Sequence, residues 1–113
     1  MKKNEQAFAE MVKRTLEVMF DNVLVSETDS VVSISGWNGS EKPDFRQNNP
    51  EREGVQVSFE VGMTDDHKHS NVDFVINYDG IRVVNGLKLD LYNHFVVADT
   101  ISVLKHQLEY WWA

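Results

Sequence analysis

Cysteine is absent from the chain, so no disulfide can staple the fold and no thiolate can serve as nucleophile or metal ligand. Small secreted domains often depend on such staples, so a reducing, cytoplasmic location is expected. Long apolar runs are also missing. Nothing approaches the ~20 apolar residues of a membrane span. The residues after Lys2 and Lys3 lack the roughly 7–15 apolar positions of a secretory leader. No membrane association is expected. Basic residues are scarce, with 11 Lys and Arg against 18 Asp and Glu, a net charge of −7. The excess is local. Between residues 21 and 66, ten acids (Asp21, Glu27, Asp29, Glu41, Asp44, Glu51, Glu53, Glu60, Asp65 and Asp66) face only Lys42, Arg46 and Arg52. Phosphate recognition needs a basic footprint, so direct nucleic-acid binding is not expected. A basic protein partner suits this distribution, although the same charge would also serve solubility alone.

The 113 residues, 42% apolar and 26% charged, suit a single domain spanning residues 1–113. Phe8, Met11, Val12, Thr15, Leu16 and Met19 recur at helical spacing and predict a helix from Asn4 to Phe20, with Asn4 as its cap. Val23–Val25 and Val31–Ser35 read as a hairpin around Glu27–Ser30. Val55, Val57, Phe59, Val61 and Met63 alternate with polar residues, as do Val72, Phe74, Ile76 and Tyr78, which predicts antiparallel strands with one buried face. Asp79-Gly80 is a strong two-residue hairpin turn, leading to a strand over Ile81–Val84. Asn85-Gly86 reads as a second such turn before Leu87–Leu89. Val97, Ile101, Leu104, Leu108 and Trp111 mark a final helix from about Asn93 to Trp112, with Asp99 a rival cap. The expected fold is α+β: an antiparallel meander of about five strands, with the N- and C-terminal helices packed on one face in two layers.

Chemical motifs are few. Asp65, Asp66, His67 and His69 are weak candidates for a metal site, because their residue types suit zinc. The same run also reads as a solvated turn, and no metal or other cofactor is expected. His94 and His106 lack a recognisable partner for acid–base work. No Gly-x-Ser-x-Gly elbow is present, and Gly36–Ser40 lacks the spacing and lysine of a phosphate loop. An enzyme is therefore not expected.

The aperiodic stretch from Trp37 to Gly54 is longer than most loops in compact domains. Trp37 and Phe45, with Arg46 and Arg52, are of the types that dominate interface hot spots, and Glu41, Asp44, Glu51 and Glu53 surround them. These eight residues are the candidate partner-binding set. The alternative is that Trp37 and Phe45 fold back over an open end of the core. At the C-terminus, Tyr110 faces away from the helix stripe, so Tyr110 and Trp112 are candidates for self-association, or else pack on the sheet. The leading expectation is a protein-binding module, such as an acidic inhibitor or immunity-type protein that engages a basic partner. A dimeric chaperone-like adaptor holding a client segment is the second. A small metal- or ligand-binding protein is the third.

Overall fold

The computed structural model describes residues 1–113, with the side chain of Asp65 outside the described set. Its elements are α1 (Lys3–Met19), β1 (Asn22–Thr28), β2 (Val31–Trp37), β3 (Gly54–Glu60), a 3-10 turn (Asp65–His67), β4 (His69–Tyr78), β5 (Ile81–Asp90) and α2 (His94–Trp112). The five strands form one antiparallel sheet in the order β1-β2-β3-β4-β5. This is the expected meander.

Strand alternation decides which face is apolar. Val32 pairs with Phe59 and Ile34 with Val57. Val55 pairs with Ile76, Val57 with Phe74 and Phe59 with Val72. All of these side chains are buried in one core with Phe8, Val12 and Leu16 of α1 and Val97, Ile101, Leu104 and Leu108 of α2. Both helices therefore lie on the same side of the sheet. Phe8 and Phe59 meet edge to face with centroids 5.0 Å apart, which locks α1 onto the central strand.

The two helix starts are built differently. Asn93 caps α2, its Oδ1 accepting from the N–H groups of Phe95 (3.0 Å) and Val96 (3.2 Å), so Asp99 lies inside the helix. At α1 the cap position is Lys2, not Asn4. Glu5 turns inward and its Oε1 accepts from Lys2 N–H at 2.7 Å. This leaves Asn4 in the first turn. Asp79 and Gly80 both have positive φ, 50° and 77°, as the expected turn requires. Asn85-Gly86 is not a turn. β5 runs unbroken through it, with Phe74 opposite Asn85 and Asp73 opposite Gly86. The ten-residue β4 supplies pairing partners along the whole length of β5, and the ladder outweighs the local turn preference.

The second face of the sheet is not uniformly wet. The segment between β2 and β3 folds across it and buries Pro43, Phe45 and Pro50. Gly54 makes this approach possible. A Cβ there would lie 2.6 Å from the Gly36 carbonyl oxygen, 3.1 Å from Pro43 Cγ and 3.2 Å from Phe45 Cζ. Gly54→Ala is accordingly expected to cost about 1–3 kcal/mol through overpacking. A urea midpoint and the rate of proteolytic cleavage within residues 38–53 would measure it. Unchanged values in both would mean that the loop is not seated by this contact.

Candidate functional site

The two helices end side by side. Phe20, the C-cap of α1, turns into extended backbone and lays its ring on the sheet. Gly36 makes room for it, since a Cβ there would lie 2.7 Å from Phe20 Cδ2. Trp112, the last residue of α2, meets Phe20 edge to face at 5.2 Å. Trp112 also meets Tyr78 edge to face at 5.2 Å, and Tyr78 lies 5.6 Å from Trp111. This aromatic row closes one end of the core.

Above it opens a cleft of about 360 Å³ lined by Phe20, Trp112, Asn38, Gly39, Ser40, Glu41, Arg52 and Glu53. Its walls are tied down by hydrogen bonds to neighbouring elements and by an ion pair. Asn38 Oδ1 accepts from Asp21 N–H at 2.8 Å, and Asn22 Nδ2 donates to the Gly39 carbonyl at 2.7 Å. Glu53 Oε2 accepts from Asp79 N–H at 3.0 Å, coupling the wall to the β4–β5 turn. Arg52 Nη2 lies 2.6 Å from Glu41 Oε2. Two carboxylates and one guanidinium therefore rim an aromatic floor, with an excess of negative charge.

Comparison with protein-family models, curated proteins and solved structures finds no match.

Of the residues expected to bind a partner, the fold brings Glu41, Arg52 and Glu53 to this cleft. It adds Trp112, which was expected on a self-association surface. Phe45 is elsewhere and only 4% exposed. Its carbonyl accepts from Arg82 Nε at 2.7 Å, so it serves as a lid on the sheet's outer face. Trp37 is half-buried, and its indole N–H is enclosed without a partner among the described residues. Asp44 and Arg46 pair with each other on the outer surface of the loop. The Arg46 backbone N–H, and then its guanidinium, hold the Asp44 carboxyl below the usual carboxylate range. A depressed carboxylate steadies the folded loop above its unfolded pKa, and that contribution disappears as pH falls through the folded value. Glu51 is exposed. Tyr110 stands 78% exposed on the outer side of α2.

Asp66, His67 and His69 are all exposed, and Asp65 lies outside the described side chains. Among the described residues no three His, Asp or Glu side chains gather in a metal-binding group. No helix of the described residues is long and apolar enough to cross a membrane. Phe20, Asn38, Gly39 and Ser40 were not among the candidates. Position 20 continues the spacing of Leu16 by four residues, which was the one available signal.

Proposed function

We propose that the chain is a non-catalytic module that engages a basic protein surface through this cleft, as an acidic inhibitor or immunity-type protein would. The observation that carries the reading is the placement of Glu41 and Glu53, both within the acidic middle of the chain, around a floor of Phe20 and Trp112. Charge steers the encounter of such a pair, and aromatic burial slows its separation. The test is affinity capture at low salt with the parent and with a Glu41→Gln/Glu53→Gln variant. A basic protein should be retained by the parent, released at about 0.5 M salt by screening, and retained poorly by the variant. Equal retention by both proteins, or indifference to salt, would defeat the reading.

A second reading, self-association of an adaptor, draws on one feature. Phe95, Val103 and Tyr110 follow spacings of eight and seven residues along α2 and are all exposed, so they share one outward stripe. Sedimentation as a strict monomer at about 100 µM would count against this stripe as a dimer contact.

A further inference from the structure

We propose that the cleft is the seat of a single arginine side chain from the partner, its guanidinium stacked on Trp112 and paired with Glu53. This rests on the binding reading above and names the group that the cleft selects.

The electrostatic argument starts from the helices. Each helix C-terminus carries unsatisfied carbonyls equivalent to about half a negative charge. Such ends are commonly matched by a basic residue in the last turn. Here neither α1 nor α2 has one. The two ends also converge, because Phe20 and Trp112 touch at 5.2 Å. Two helix C-termini without a basic residue of their own therefore lie beside the cleft.

The rim adds formal charge to that field. Arg52 is engaged by Glu41 at 2.6 Å. Glu53 is held through Oε2 by a backbone N–H and forms no ion pair among the described residues. Its Oε1 remains open to an incoming donor. The floor supplies the third element. Trp is the strongest cation–π acceptor among side chains, and Trp112 is half-buried with its neighbours Phe20 and Tyr78 packed edge to face.

Arginine fits this combination better than lysine. Its guanidinium is planar and weakly hydrated, so it can stack on an aromatic ring while its edge donates to a carboxylate. An ammonium keeps its hydration more tightly and has no flat face. Ser40, on the same wall, offers a further oxygen acceptor for the remaining guanidinium donors.

The test titrates the full chain with three capped tripeptides, glycine on either side of arginine, lysine or citrulline, and follows amide and indole N–H resonances. The arginine peptide should shift Trp112 and residues 38–41 saturably, with a Kd on the order of 1 mM for so small a ligand. Lysine should bind several-fold more weakly, and citrulline should leave the spectrum unchanged. Glu53→Gln should weaken the arginine peptide about threefold to tenfold. Trp112→Leu should do the same, with thermal melts confirming that each variant is folded. Citrulline shifts equal to those of arginine, or an unaffected Glu53→Gln, would overturn the proposal. Lysine binding as well as arginine would overturn the choice of guanidinium. If the arginine peptide fails while salt-sensitive capture of a basic protein persists, the seat is wrong and the broader reading stands. The reverse pattern would reject the broader reading alone.

Discussion

Phe59→Ala is expected to destabilise the protein by about 3–5 kcal/mol, a large part of the 5–15 kcal/mol that a domain of this kind typically has. Phe59 is 1% exposed and sits on β3, the middle strand. Its ring receives Phe8 of α1 edge-on at 5.0 Å, while Val32 and Val72 flank it on the adjoining strands. Truncation empties a space that both layers share, and neither layer can close it without moving the other. The cost therefore combines lost transfer energy with an unfilled cavity. Urea denaturation of the variant would measure it, with Phe59→Leu expected to lose distinctly less. A loss below about 1 kcal/mol for the alanine variant would mean that the core collapses around the site.

Glu5→Ala carries the second large effect. Glu5 is 1% exposed, yet both of its oxygens are used. Oε1 accepts from Lys2 N–H at 2.7 Å and Oε2 from Gly62 N–H at 2.6 Å. One carboxylate thus caps α1, suits the positive pole of the helix and ties that helix to the end of β3. Lys2 Nζ adds a bond to the Met63 carbonyl beside it. Hydrogen bonds to a charged group contribute about 1.5–3 kcal/mol each, and removing the acceptor leaves two donors to find water. A loss of about 3 kcal/mol is expected, with Glu5→Gln falling between parent and alanine. Hydrogen exchange at the Gly62 amide should quicken in both variants. Parent-like exchange at Gly62 in Glu5→Ala would show that the tether is not what holds this corner.

These two residues differ in how visible they are in the sequence. Phe59 declares itself, because strict alternation from Val55 onward leaves it no place but the buried face. Glu5 does not, since an acidic residue in a first helical turn reads as an exposed dipole partner. Only the approach of Gly62, far along the chain, turns it inward. The meander was legible for the same reason as Phe59: side-chain period and the Asp79-Gly80 turn are local. Asn85-Gly86 carries an equally strong local signal and is overridden by the length of β4. The loop residues were ambiguous for another reason. Trp37, Phe45 and Arg46 belong to types that serve an interface or a cover equally well. Phe45 became a cover because Gly54 opens the outer face to it. The cleft was the least legible feature. Its walls come from residues 20, 38–41, 52–53 and 112, and no spacing rule links positions so distant.

The unbroken course of β5 also bears on how the protein ages. An asparagine followed by glycine is the dipeptide most prone to lose its amide, because the glycine nitrogen can swing onto the side-chain carbonyl and close a succinimide ring. The extended, ladder-paired backbone at Asn85-Gly86 holds those atoms out of line. The same dipeptide at Asn38-Gly39 sits in a bend, with Gly39 at a φ of 90°. There the amide oxygen of Asn38 is occupied by Asp21 N–H. Conversion at Asn85 would therefore require the sheet edge to open first. Conversion at Asn38 would place a new carboxylate in the wall of the cleft.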